Sequence, residues 1–233
     1  MGSEQTAAEL TSQLAREHRV LMLGGLAVVA HGLSRSTFDS DVWLDPDLPV
    51  GDWCDAVCSI VAGKSHLRIV SIGNWGNVSA ADFPGVISRD GVIRIVGVNQ
   101  PLDIFRKPNQ LDPAEFNEVW SRSQILDDGT RLPDPIDLLV SKQETGREKD
   151  QTDIIFLEGK IQADYLSRLP KSSRDEAMQM LERFLTPRVA EAALAHADQA
   201  VRDLGLRFLR ELAQEGDPFA AEILRKIGER GNG

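Results

Sequence analysis

Asp39 and Asp41 stand two residues apart, just beyond Arg35 and Thr37, and the glycine pair Gly24-Gly25 lies a short way upstream. In an extended strand the side chains at i and i+2 share a face, so the two carboxylates would project together, with Ser40 pointing away. Adjacent carboxylates repel one another unless a cation lies between them or one is protonated. Oxygen ligands of this kind suit Mg²⁺, which is commonly held by one or two carboxylates plus substrate phosphates. A glycine pair at the end of a strand lets the backbone approach a ligand closely, and its amides, with the start of the following helix, can bind phosphate. One stretch, residues 20–46, therefore offers both a phosphate cradle and a metal clamp.

The elements that must position these groups are legible in the same stretch. Val20 to Leu23 is an apolar run that reads as a strand. Small residues from Leu26 to Gly32 read as a short buried helix, with His31 expected to cap it. A second apolar run ends in Val42-Trp43-Leu44, and Asp45-Pro46-Asp47 closes it with turn chemistry, its two acids expected to be solvated. Arg35 offers its planar fork either to a phosphate or to a nearby acid. Further on, Pro101 to Phe105 (PLDIF) is apolar except for Asp103. An acid inside an apolar strand costs folding energy unless it has a partner, which makes Asp103 the candidate third carboxylate.

Gly-Gly, then G-x-x-R-x-T-x-D-x-D and an apolar run, resembles the nucleotidyltransferase superfamily, and within it the minimal bacterial nucleotidyltransferases related to AbiEii-type toxins. A second block, PIDLLVSKQETGREKDQTDIIFL, is similar to the Lys-bearing helix, charged turn and following helix of those proteins. The resemblance covers residues 15–160. It implies an α/β (α+β) fold, a mixed sheet flanked by helices. It also implies a Mg²⁺-dependent transfer of a nucleoside monophosphate from an NTP to an acceptor hydroxyl on a small molecule, a protein or a tRNA. By resemblance, Asp39, Asp41 and Asp103 are catalytic and bind metal. Gly24, Gly25, Arg35, Thr37 and Lys142 bind the nucleotide, with Arg147 or Lys149 assisting. A toxin-type role with an antitoxin partner is implied in the same way.

This chain departs from the family pattern at two positions. Members commonly have Ser where Gly25 stands, so here only backbone amides are offered. They have an apolar residue between the metal carboxylates where Ser40 stands, which predicts that this face of the strand is not deeply buried.

Composition narrows the partners. Lys and Arg number 26 against 36 Asp and Glu, a formal charge of −10, which argues against a broad nucleic-acid surface because affinity there rests on neutralising phosphates. The charge is compatible with a nucleotide carried in with Mg²⁺, and it makes RNA a less attractive acceptor than a small molecule or a protein. No apolar run approaches the roughly 20 residues that span a membrane. The start, MGSEQTAAEL, has neither the basic nor the apolar part of a signal peptide. Cys54 and Cys58 share a helix face, too few ligands for a zinc site. A cytoplasmic setting is expected.

The remaining periodicities predict helices over 6–18, 52–62, 172–184, 187–202, 203–214 and 219–227, and strands at 67–72, 86–87 and 92–98. Asp90-Gly91 reads as a hairpin turn, and Gln124 to Leu132 as a hairpin. Trp75, in the turn Gly73–Asn77, is expected to pack under its loop rather than stack on a base. Strand signals vanish after residue 162, which predicts a nucleotidyltransferase-like domain over 1–162 and a helical domain over 163–233. The second is small enough that it should dock on the first or dimerise. Two alternatives stand beside the enzyme: a nucleotidyltransferase-like module that binds a nucleotide or partner without turnover, and a Rossmann-type protein. The last lacks G-x-G-x-x-G.

Overall fold

The computed structural model describes residues 6–108, 111–143 and 148–231. The first elements are α1 (Ala7–Ala15), β1 (Val20–Leu23), α2 (Gly24–Ala30), β2 (Ser40–Leu44), α3 (Val50–Val61), β3 (Arg68–Ser71) and α4 (Phe83–Asp90). β4 (Val92–Val96), β5 (Leu102–Phe105), α5 (Phe116–Arg122), β6 (Gln124–Ile125), β7 (Arg131–Leu132) and α6 (Pro135–Gln143) follow. Helices then take over: α7 (Glu148–Arg168), α8 (Arg174–Arg183), α9 (Pro187–Ala193), α10 (Gln199–Gln214) and α11 (Pro218–Gly231). The expected α/β architecture is present, a mixed sheet flanked by helices.

Among the described residues seven strands form the sheet, in the order β3-β4-β5-β2-β1-β7-β6. β2 runs parallel to β5 and β1 parallel to β7, while β1·β2, β3·β4, β4·β5 and β6·β7 are antiparallel. Antiparallel neighbours at the centre exclude the doubly wound parallel sheet of a Rossmann protein.

Alternation along the strands sorts the two faces. Val42 and Leu44 of β2, Ile93 and Ile95 of β4, and Leu102 and Ile104 of β5 join a buried cluster with Leu10 and Leu14 of α1, Trp53 and Val57 of α3, and Phe83 and Ile87 of α4. Each large apolar side chain buried there contributes about 1.5–3 kcal/mol relative to exposure. The intervening positions, Asp41, Arg94 and Asp103, belong to the opposite face.

Four expectations are corrected. Val86 and Ile87 lie in α4 rather than a strand: Pro84 sits in its first turn, and Phe83 and Ile87, four apart, are both buried. Gly91, at φ 69°, is then the left-handed cap of α4 rather than part of a hairpin turn, donating its amide to Ile87 O. Asp45 is not solvated: it is buried, and its carboxylate accepts from Arg19 Nε at 2.7 Å. The alanine-rich helix stops at Ala193, and a new one begins at Gln199, where Asp198 caps it by accepting from Ala200 N.

The chain divides into two compact units, Met1–Ile154 and Ile155–Gly233, with the division inside α7. The second unit is helical around its own core of Ala190, Leu209, Ala220 and Ile223. There α9 and α10 meet closely at Gly205, where a Cβ would lie 2.7 Å from Ala193 Cβ. Among the described residues no helix is long and apolar enough to cross a membrane.

Cys54 is buried within α3, and Cys58 is partly exposed on the next turn. Burial, then the neighbouring Cys58 and Asp55, push the Cys54 thiol up to about 11. A raised pKa means that the folded state favours the neutral thiol. The associated stability is therefore fully present below the unfolded thiol's pKa and is lost as pH rises through about 11. In a thiol-labelling experiment at pH 8, Cys58 should react first and Cys54 only at the rate of unfolding; equal rates would contradict this environment.

Candidate functional site

The strand ladder sets one row of residues side by side across the sheet. Leu23 of β1 lies opposite Asp41 of β2, Asp41 opposite Asp103 of β5, and Asp103 opposite Arg94 of β4. In-register partners on neighbouring strands point to the same side, so Asp41, Asp103 and Arg94 share it. Asp39 immediately precedes β2 and joins them: ligand oxygens of Asp39, Asp41 and Asp103 all lie within 4.8 Å of one another. All three carboxylates singled out from the sequence thus converge, and Asp103 is buried as expected of an acid in an apolar strand.

Where β1 ends, the chain turns directly into α2 through Gly24, at φ +61°. A Cβ on Gly24 would lie 1.8 Å from Asp41 Oδ2, and one on Gly25 would lie 2.5 Å from Arg35 Nη2 and 2.9 Å from Thr37 Oγ1. Glycine at both positions is a steric consequence of the side chains that press on the turn. The Gly25 spacing also accounts for the missing Ser: Thr37 Oγ1 and the Arg35 guanidinium occupy the space a side chain there would need. The Thr37 hydroxyl donates to the Asp39 backbone carbonyl at 3.0 Å, fixing the main chain that carries the first carboxylate.

Arg35 resolves toward an acid. Its Nε and Nη2 donate to the two oxygens of Asp153 at 2.8 and 2.7 Å, and Nη1 donates to Ser36 O. Lys142 is also turned inward: its Nζ lies 3.1 Å from Asp150 and 3.1 Å from Asp153, with all three side chains buried. In this structure the Lys142 ammonium faces these two carboxylates. Arg35, Asp153, Lys142 and Asp150 form a continuous ionic chain from α6 and α7 to the back of the glycine turn. Arg147 lies outside the described residues, as does the side chain of Lys149.

Sequence reasoning missed one participant and misplaced another. Arg94 donates from Nε and Nη2 to Asp103 Oδ1 and Oδ2 at 2.6 and 2.7 Å, and its Nη2 lies 3.8 Å from Asp39. Hydrogen bonding to Asp103, outweighing partial burial, raises the Arg94 pKa further, with added attraction from Asp39 and Asp41. The signal available was a lone Arg inside the apolar run Val92–Val96, the mirror image of Asp103 in its own run. The second is Trp75. Rather than packing under its loop, it is 64% exposed and holds a left-handed backbone, φ 57°, with the Arg94 guanidinium 5.3 Å from its ring centroid. Non-glycine residues at such φ store about 1–3 kcal/mol of strain.

Ser40, between the two strand acids, is buried on the far face, where Gln100 Nε2 donates to its hydroxyl. The expectation of a shallow face is overturned: Ser40 is buried, and its hydroxyl is satisfied by the half-buried Gln100. His31, at the end of α2, contacts Pro133 O at 2.9 Å and caps the helix as expected.

No family model matches the chain, and no curated protein matches it. A crystal structure from H. pylori, provisionally described as a nucleotidyltransferase, is similar at 15% identity over 94% of this chain and 92% of that one, with a TM-score of 0.37. At that identity and score, the functional reading rests on the site itself.

The ionic chain behind the glycine turn makes a stability prediction. Lys142→Met removes a cation from between two buried carboxylates and should cost about 3–5 kcal/mol. Urea unfolding measures it directly. A loss below about 1 kcal/mol would mean that the charges are solvated, as in a surface pair.

Proposed function

We propose that this chain is a Mg²⁺-dependent nucleotidyltransferase that moves a nucleoside monophosphate from an NTP to an acceptor hydroxyl. The observation that carries the reading is the convergence of Asp39, Asp41 and Asp103 beside a glycine turn whose two positions leave no room for a side chain. Three hard oxygen donors at this separation fit Mg²⁺ in kind. Asp39 and Asp41 would hold the ion, with Asp103 completing the set. When bound, Mg²⁺ neutralises the triphosphate and polarises the α-phosphorus toward attack.

The protein's own groups do the rest. Backbone amides at Gly24 and Gly25 hold the β- and γ-phosphates. Thr37 and Arg35, anchored through Asp39 and Asp153, keep the turn in shape. Asp103 serves either as a further metal ligand or as the base that takes the proton of the acceptor hydroxyl, which otherwise passes to solvent. The acceptor oxygen then bonds to the α-phosphorus as its bond to the bridging oxygen breaks, and pyrophosphate leaves. Lys142 supports this arrangement from behind. In this reading 1–162 is the catalytic domain and the C-terminal helices, 163–233, serve the acceptor or a second copy. The resemblance to AbiEii-type proteins makes a toxin role, with an antitoxin partner and a cytoplasmic site of action, the biological form of the proposal. The acceptor class is a small molecule, a protein or a tRNA, with the acidic surface favouring the first two.

One observation favours a second reading, a module that binds a nucleotide without turnover: Arg94 already engages both oxygens of Asp103.

Thermal unfolding with each of ATP, GTP, CTP and UTP, with and without Mg²⁺, separates the readings. A nucleotide at about 100 times its dissociation constant should add roughly 2.7 kcal/mol of stability. That shift should require Mg²⁺ and vanish in Asp39→Asn/Asp41→Asn. With α-labelled nucleotide, pyrophosphate release and label on an acceptor mark the enzyme; a Mg²⁺-dependent shift without either marks the binding module. No shift with any nucleotide would overturn both.

A further inference from the structure

Arg94 is the one described cation hydrogen-bonded to the carboxylate cluster, and its position is built rather than incidental. The ladder sets it opposite Asp103, its fork grips both carboxylate oxygens, and one amine stands 3.8 Å from Asp39. The face of Trp75 covers the guanidinium. Trp75 is in turn held by its loop: its amide donates to Ser71 O at 2.9 Å, and Ser71 N donates to Gly76 O at 3.0 Å. Ser71 also donates its hydroxyl to Asp90 at 2.8 Å. A planar guanidinium that meets an aromatic ring by its carbon keeps its N–H donors available to exchange one flat anion for another, and carboxylate and phosphate present the same two-oxygen edge.

We propose that Arg94 is the resident counter-ion of the carboxylate cluster, that a divalent cation displaces it from Asp103, and that the released guanidinium, still over the Trp75 ring, then grips a phosphate of the substrate. Arg94 thus has two anionic partners used in turn, Asp103 and the substrate phosphate. The cluster avoids three unscreened carboxylates when no metal is bound, and substrate phosphate compensates the arginine when it is. The inference rests on the metal-dependent reading above.

Arg94→Gln keeps the size and polarity of the side chain and removes its charge; Arg94→Lys keeps the charge and removes the fork. Mn²⁺ binding, followed by loss of the free-ion electron paramagnetic resonance signal, should tighten at least about tenfold in Arg94→Gln, since a full positive charge near the ligand carboxylates is gone. It should tighten less in Arg94→Lys. Binding of inorganic triphosphate in the presence of Mg²⁺ should weaken in both, and also in Trp75→Ala, which should leave Mn²⁺ affinity unchanged. Equal Mn²⁺ affinity in wild type and Arg94→Gln would overturn the displacement while leaving the metal-dependent reading standing. Tighter Mn²⁺ with unaltered triphosphate binding would overturn the transfer to phosphate. Absence of Mn²⁺ binding in wild type and all variants would overturn the inference together with the reading beneath it.

Discussion

The pairing of β2 with β5 is the constraint on which the rest of this site depends, because it places Asp41 directly opposite Asp103 on neighbouring parallel strands. Backbone hydrogen bonds hold two carboxylates side by side that would otherwise move apart. The ladder can impose this because the other face of the same strands is anchored: Val42, Leu44, Leu102 and Ile104 are buried against helices α1, α3 and α4. A shift of one residue in register would turn the acids into that core and the apolar residues out of it. The hydrophobic face therefore specifies the geometry of the charged one. Arg94 extends the same row and offsets the repulsion that the ladder creates.

The glycine turn follows from the same row. Leu23, opposite Asp41, is the last residue of β1, and the chain must turn away at once because the Asp41 carboxylate stands where a Gly24 side chain would be. Gly25 meets the next obstacle, Arg35 and Thr37. The turn is thus shaped by the acid it serves, and the loop between α2 and β2 closes around it. Behind the loop, Asp153 binds Arg35 and Lys142 together. Buried ionic chains of this kind are expensive to desolvate and strongly destabilising to break, so their contribution is to geometry more than to net stability. Here that geometry is the fixed distance between α6, α7 and the glycine turn.

Electrostatics at the site and over the chain point the same way. A protein with a formal charge of −10 repels a bare triphosphate at long range, so the nucleotide proposed above would arrive with its charge masked by a cation. Three clustered carboxylates favour that cation locally. Arg94, held by them and by the ring of Trp75, adds a positive charge that remains beside the cluster whichever anion it grips.

What the sequence determined by itself is the set of local signals: the strand Val20–Leu23, the glycine pair, Asp39 and Asp41 at a spacing of two, and an acid stranded in PLDIF. Period-two alternation and the cost of a buried charge are properties of a few neighbouring residues, so they can be read without a fold. α4 was misread for the same reason, since two β-branched residues outweighed Pro84 in a short window. Which side chains face one another follows from the assembled sheet. Arg94 meets Asp103 across a strand pair, and Trp75 meets Arg94 from a separate loop. Asp153 takes Arg35 from more than a hundred residues away, and Gln100 satisfies Ser40 from the far face. Each of these is a partnership between side chains distant in sequence, and charge partners carry no periodicity of their own. Their identity depends on strand order and register, which the buried apolar face sets only when the whole sheet is assembled.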